Sequence, residues 1–398
     1  MIALRTGKSN GRGRSRSKQR TGQRTRRAGI GSRNHSIRYA VVGLGYIAQA
    51  AVLPAFRHAR NSKLAALVSG DSKKLKALGR KYGVDGLYSY DQYDELLRSG
   101  TIDAVYIAVP NSMHAKYTIR AADAGIHVLC EKPMAVTETE CRQMIDACRR
   151  NNVKLMIAYR LHFEPANLGA VELVQSNKLG NVRLFDSIFT MNVKDGDIRL
   201  DRELGGGTLY DIGIYCINAA RYLFRAEPVE VSAVSVSNSD PRFREVDEMT
   251  AAILRFPGDR LASFVTSFGS ADVSQYRVVG TKGDLRVEPA YDYSKPLKHH
   301  LTLNGKMRQK TFSKHDQFAP ELTYFSQCIM NGEDPEPSGE EGLIDVRIIE
   351  ALYHSANIGQ PVSLGGFPAD RPPTRAQEFR EPAVSEPRLV HAESPSDE

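Results

Sequence analysis

Two segments of this 398-residue chain carry side chains able to move a proton. In GGGTLYDIGIY, from Gly205 to Tyr215, and the CINAARYLF that follows, apolar residues recur with helical spacing from Thr208 onward. Asp211 and Tyr215 then stand at i and i+4, on one helix face. A carboxylate and a phenol converging there can handle the oxygen of an alcohol or a carbonyl. A capping Asp and a packed Tyr would give the same spacing, so both readings stay open. Glu131-Lys132-Pro133 directly follows the apolar run IHVLC. A lysine at the carboxyl edge of a sheet can have its pKa lowered by burial and share a proton with a substrate hydroxyl. A plain surface lysine is the commoner case.

A third motif supplies a partner for such chemistry. IRYAVV runs into GLGYIA, which spans Gly43, Leu44, Gly45, Tyr46, Ile47 and Ala48 in the pattern G-x-G-x-x-A. Gly43 permits a tight turn, Gly45 lets the backbone approach a pyrophosphate, and Ala48 allows close helix–strand packing. After a strand and before a helix this reads as a dinucleotide fingerprint. At the end of the second apolar run, VSGDSKK places Ser69 where NAD sites usually carry an acid, with Lys73 and Lys74 beyond. That favours NADP over NAD, although Asp71 lies close enough to return to the ribose. Pro110-Asn111-Ser112-Met113-His114, also after a buried strand, can line the nicotinamide half.

The elements that must position these residues alternate. LAALVSG, TIDAVYIAVP, IHVLCEKP and KLMIAYR read as buried strands, separated by helices such as KKLKALGRKYG, HAKYTIRAADAG and TETECRQMIDACRRNN. Such βαβ units predict an α/β fold with a doubly wound parallel sheet over residues 37–160. After Arg160 the pattern changes to a helix near 165–178, then long alternating strands such as VRLFDSIFTMNV, VEVSAVSVSNS, MTAAILRF, LASFVTSF and QYRVVG. These predict an α+β domain over 161–365 with a large open, mostly antiparallel sheet. QFAPELTYFSQCIMNG and EEGLIDVRIIEALYHSANIG return to helix.

The net charge of +8 resides in the tails. Residues 1–36 carry 11 Lys or Arg and no acid, and residues 366–398 carry 4 Arg against 7 acids. The body is therefore neutral and lacks the electrostatic footprint of a nucleic-acid binder. Both tails read as disordered. The basic one is compatible with nucleic acid, a membrane surface, a transit peptide or a dispensable extension. No run approaches the roughly 20 apolar residues of a membrane span. Five scattered cysteines without a CxxC suggest reduced thiols, no metal site and a cytoplasmic setting.

GLGYIA, PNSMH, EKP and GGGTLYDIG, in this order and spacing, resemble the Gfo/Idh/MocA oxidoreductase family over roughly residues 37–362. ALVSG, EKPMA, KLMIAYRLHFEP, RLDRELGGGTLYDIGIYCINAARYL and GEEGLIDVR are similar to its glucose–fructose oxidoreductase-like subgroup, as is a tyrosine at 215 where most of the family has histidine. The resemblance implies that Lys132 contacts nicotinamide and substrate, that Asp211 holds a sugar hydroxyl, and that Tyr215 is the general acid/base, its pKa lowered by Lys132. It places Tyr159 and Arg160 near the nicotinamide end, Tyr159 on the substrate and Arg160 on the cofactor. It assigns Ser69 and Lys74 to NADP selection, and Pro110, Asn111, His114 and Glu131 to the cofactor site. The expected function is hydride transfer between NADP and an aldose such as glucose or xylose, giving the lactone. A sugar–sugar oxidoreductase with tightly held NADP is the alternative. A non-catalytic dinucleotide sensor or nucleic-acid-associated protein is disfavoured by the presence of Lys132, Asp211 and Tyr215. The resemblance also implies a homo-oligomer, dimer or tetramer, through the second domain's sheet.

Overall fold

The computed structural model of the chain describes residues 36–367 and 372–396. Nearly all of the N-terminal basic tail lies outside them.

Six strands form the first sheet: β1 Ile37–Val42, β2 Ser62–Val68, β3 Gly86–Tyr88, β4 Ala104–Ile107, β5 His127–Glu131 and β6 Leu155–Ala158. Their order is β3-β2-β1-β4-β5-β6 and every pair is parallel. β4 and β6 are buried along their whole length, as strands covered on both faces must be. A π-turn Ala48–Val52 leads into α1 Leu53–Ala55; α2 Ser72–Tyr82, α3 Tyr93–Arg98, α4 His114–Asp123 and α5 Glu138–Arg150 make the remaining crossovers. α2 starts where the Asp71 carboxylate accepts the N–H groups of Lys73 and Lys74, both at 2.9 Å, and stops at Gly83. The sheet order reverses between β1 and β4, and such a switch point opens a ligand crevice at the carboxyl ends of the strands.

The second sheet is larger. α6 Pro165–Gln175, β7 Val182–Asn192, α7 Ile214–Phe224, β8 Glu230–Val236, β9 Met249–Phe256, β10 Arg260–Ser267, β11 Gly269–Gly280, β12 Gly283–Val287, β13 Lys298–Leu303, β14 Lys306–Thr311 and β15 His315–Asp316 follow in order. After them come α8 Ala319–Asn331, α9 Gly339–Ile358, β16 Val362–Ser363 and β17 Glu381–Pro382. Nine strands pair as β14-β13-β12-β11-β7-β10-β9-β8-β16, antiparallel except for β7 with β10. Residues alternate along β9, one set buried and the other exposed. The exposed face carries Leu184, Val234, Ile253 and Leu261.

Two sequence expectations need correction. α8 comes late in the chain, yet Phe318, Leu322 and Phe325 pack into the core of the first sheet with Tyr39 and Val41. The Tyr39 hydroxyl lies 2.8 Å from the Ser326 hydroxyl. The break at residue 160 therefore does not separate the two cores. The C-terminal segment was expected to be disordered from Gly366. Residues 372–396 instead hold a 3-10 turn at Arg375–Gln377, the β17 pairing with β15, and side-chain contacts to the first domain. Composition under-weighted backbone hydrogen bonding to fixed partners.

Gly43 and Gly45 differ in what they must satisfy. Gly43 has φ +92°, and a Cβ there would sit 2.4 Å from the Ala108 carbonyl oxygen, across the switch point. A Cβ on Gly45 would meet nothing within 4 Å. Gly43→Ala is thus expected to cost on the order of 3 kcal/mol in urea denaturation. Gly45→Ala should stay within about 0.5 kcal/mol. Equal costs would show that the turn does not depend on the close approach of β1 and β4.

Candidate active site

The crevice begins at the fingerprint. Gly43 is buried, Gly45 is exposed and Ala48 is fully buried beneath the π-turn. The open space at Gly45 is where a backbone without a side chain admits a diphosphate, so the residues present fit a dinucleotide. The Tyr46 hydroxyl accepts from that of Tyr293 at 3.2 Å, while Ile47 packs partly buried against the first sheet's core. At the end of β2, the nearly buried Ser69 hydroxyl accepts the Asp71 N–H at 3.2 Å. Asp71 Oδ1 caps α2 and Oδ2 lies 2.7 Å from His391 Nδ1. The Lys74 N–H and His391 bring its carboxyl down to about 2. Both oxygens are engaged within the protein, which ties Asp71 to the start of α2 and to His391. Lys74 sits half-buried in the first turn of α2.

Past β4, the Asn111 amide donates to the Gly205 carbonyl at 2.9 Å and the Ser112 N–H to that of Leu204 at 3.2 Å. The three glycines at 205–207 thus serve an approach of the chain to itself. A Cβ on Gly206 would lie 2.4 Å from the Arg199 carbonyl oxygen, and one on Gly205 would lie 2.8 Å from the Asn111 Cβ. Pro110 sets the backbone immediately before this stitched loop. The His114 ring is turned inward. It is buried, with Nδ1 2.8 Å from the Pro133 carbonyl and Nε2 2.9 Å from that of Val109. Burial lowers its pKa against those carbonyls. Its work is to tie the β4–α4 turn to the loop after β5.

That loop carries Glu131 and Lys132. Burial raises the Glu131 pKa, and the carboxylate accepts the Tyr106 hydroxyl at 2.7 Å. Lys132 Nζ donates to the Asp211 carbonyl at 2.8 Å and to Asp211 Oδ1 at 3.2 Å, and lies 4.8 Å from the centre of the Tyr215 ring. The expected lowering of its pKa does not occur. Burial does favour the neutral amine, but Asp211, Tyr215 and Glu131 outweigh it and raise the value. Asp211 Oδ2 accepts from Arg199 Nε at 2.7 Å. Burial alone would push this carboxyl up, yet Arg199 and Lys132 hold it well below the usual carboxylate range. Asp211 lies in a π-turn, Leu209–Gly213, which opens directly into α7 and its Tyr215. Arg160, buried at the end of β6, donates from Nη2 to the Tyr215 hydroxyl at 3.2 Å. Lys132, Arg160, Asp211 and Tyr215 therefore meet at the mouth of the crevice.

Tyr159 does not join them with its hydroxyl. That group donates to Asp345 Oδ2 at 2.7 Å, inside a buried network in which Arg221 pairs with Asp345 and Glu341. Sequence reasoning missed Arg199, Gln49 and His391. Only Arg199 had a signal: a buried carboxylate beside a single lysine calls for a second cation.

The ion pairs of Asp211 set a pH dependence. A depressed folded pKa gives a contribution complete above the unfolded carboxyl value of about 4 and lost as pH falls through the folded value. Asp211→Asn is expected to cost on the order of 2 kcal/mol at neutral pH, the side chain being only 18% exposed, and progressively less below about pH 4. Urea midpoints across that range read this directly, and a cost independent of pH would remove the charge from the account.

Comparison with known proteins agrees with this architecture. Two family models match: "Oxidoreductase family, NAD-binding Rossmann fold" over residues 37–159 and "GFO/IDH/MocA C-terminal domain" over residues 168–286. A D-xylose 1-dehydrogenase (NADP(+)) from Haloferax volcanii is 34% identical over 330 residues, covering 82% of this chain and 99% of its own length. A D-xylose 1-dehydrogenase [NADP(+)] from Haloarcula marismortui is 32% identical, covering 83% and 94%. Among solved structures, the aldose-aldose oxidoreductase from Caulobacter crescentus, complexed with glycerol, superposes with a TM-score of 0.80 at 41% identity, covering 83% of this chain and 100% of that one. A 3-ketoreductase from Actinomadura kijaniata in complex with NADP and TDP-benzene gives a TM-score of 0.74 at 27% identity, covering 80% and 98%.

Proposed function

The chain belongs to the Gfo/Idh/MocA oxidoreductase family, and from that premise we propose that Tyr215 moves the proton while a hydride passes between NADP and an aldose. The observation that carries this reading is the meeting of Lys132, Arg160, Asp211 and Tyr215 at the carboxyl edge of a parallel sheet. NADP, when bound, supplies the hydride chemistry. The protein's residues do the rest. Tyr215 exchanges a proton with the reacting sugar oxygen, and Arg160 fixes the phenol's direction. Lys132, kept as the ammonium, donates to the same oxygen as charge develops on it. Asp211, kept as the carboxylate, accepts from a neighbouring hydroxyl. Ser69 and Lys74 face the 2′-phosphate, and the engagement of Asp71 within the protein supports NADP over NAD. Oxidation at the anomeric carbon gives the lactone, which fits relatives named as NADP-dependent D-xylose dehydrogenases. The 41% identity to an aldose-aldose oxidoreductase supports a second form of the reaction, in which one sugar reduces NADP and another reoxidises it in place.

The apolar set Leu184, Val234, Ile253 and Leu261 on the open sheet supports assembly of copies of this chain through that face, as a dimer or tetramer. The five cysteines, all buried and unpaired, suit a reducing cytoplasm. Among the described residues no helix is long and apolar enough to cross a membrane.

Tyr215→Phe is expected to lower kcat by about 10² to 10⁴ while NADP affinity changes little. Parallel losses in both would make the tyrosine structural. D-Xylose or D-glucose added with NADP should raise reduced-nicotinamide fluorescence, and silence with every aldose would overturn the substrate class. Ile253→Glu should convert the assembly to monomers in light scattering. An unchanged mass would place the interface elsewhere.

A further inference from the structure

We propose that the C-terminal residues 390–396 form a strap that completes the coenzyme site by closing over the adenosine end of NADP and slowing its release. The inference rests on the reading of NADP as coenzyme and adds to it a part of the site that lies beyond the residues matched by the family models.

The path of the segment is fixed at five places. β17 pairs with β15, Asp316 opposite Glu381, and anchors the tail beside the start of α8. The chain then runs along the fingerprint helix, where Val384, Pro387 and Leu389 share a cavity wall with Tyr46 and Ala51. On the way, the Arg388 carbonyl accepts from Lys81 at 3.2 Å. At Val390 the grip tightens. Its N–H donates to Gln49 Oε1 at 2.8 Å and its carbonyl accepts from Gln49 Nε2 at 2.9 Å. Gln49 is itself only 1% exposed and donates also to the Leu44 carbonyl inside the fingerprint loop. One residue on, His391 takes φ +46° and meets Asp71. Finally the Pro395 carbonyl accepts the Lys194 N–H at 2.9 Å, and Pro395 and Ser396 are buried.

The first two of these last contacts flank the place where the fold puts the adenosine half of a dinucleotide. Gln49 follows the fingerprint directly, and Asp71 stands two residues past Ser69. The third lies in the other domain, just before Asp197 and Arg199, which lead to Asp211. Four residue steps, from His391 to Pro395, thus pass from the β2–α2 turn to the second domain, a reach of at most about 14 Å. A segment held on both sides of a crevice covers its mouth. Its departure requires the paired Gln49 bonds and the His391 and Lys194 contacts to open together. The His391 ring meets the same Asp71 that bonds Ser69 and the Lys74 N–H, so the strap brings an imidazole toward the 2′-phosphate end. Slow coenzyme exchange favours the form of the reaction in which two sugars are turned over on one NADP.

The test is the rate at which NADPH leaves the protein, followed by its fluorescence after mixing with excess NADP. A chain ending at Ala383 should release NADPH about tenfold faster or more than the full chain. In a second measurement on the intact wild-type chain, bound NADP should slow tryptic cleavage after Arg388, and this decides the matter if the shortened chain fails to fold. Unchanged release from a folded truncation, or cleavage at Arg388 indifferent to NADP, would overturn the strap. A full chain that binds no NADPH at all would instead overturn the coenzyme reading, and the strap's role with it.

Discussion

Asp211 is a carboxylate placed where water is scarce, and it remains charged because two cations reach it from different directions. Lys132 comes from the end of β5 in the first domain, and Arg199 from the loop before the glycines in the second. Either cation alone would leave a buried charge half-compensated, a costly state. The pair fixes three elements around one point. It also settles the state of the lysine, which burial would otherwise neutralise. One turn past Asp211, Tyr215 inherits its place from that anchor, with its ring near Lys132 and its hydroxyl on Arg160. The π-turn that bears Asp211 is the kind of helical irregularity that recurs at functional sites.

Behind this cluster the domains are joined by close backbone contact and by a buried polar network. Residues 204 and 205 accept hydrogen bonds from the β4–α4 loop, at a separation that any side chain on Gly205 would prevent. Deeper in, Arg221 compensates Glu341 and Asp345, and His162 bridges Glu336 and Asn218. Such networks are strong only when complete. Tyr159 is one of their members, which explains why a residue beside the crevice turns its hydroxyl away from it.

Much of this could be read from the chain. Apolar runs alternating with helical segments gave the parallel sheet, because a strand buried on both faces tolerates little else. The fingerprint and the Asp211–Tyr215 spacing are local, and local periodicity survives folding. Partners distant in sequence were not legible. The apolar face of α8 is evident, but nothing in its sequence says that it covers β1. His114 and Tyr159 were assigned to the crevice because their positions suggest it, whereas the His114 ring nitrogens are taken by carbonyls 5 and 19 residues away and the Tyr159 hydroxyl by a carboxylate 186 residues away. β14 is polar and exposed and its hairpin with β13 escaped pattern reading, although Asn304-Gly305, both with positive φ, is a hairpin-turn signature. The C-terminal strap has the composition of a disordered tail, and partners far off in the chain, the amide of Gln49, the carboxylate of Asp71 and the N–H of Lys194, give it a conformation.

The covering of β1 by α8 bears on how the protein comes into being. The first sheet lacks one of its walls until residue 331 has been made, so the coenzyme domain cannot finish folding as it leaves the ribosome. Tyr39 and Val41 must wait for part of their cover through the synthesis of the entire second sheet. Contacts between residues this far apart carry a large loop-closure cost and slow the final step. Nascent chains shorter than this therefore leave uncovered the apolar surface that Phe318, Leu322 and Phe325 close.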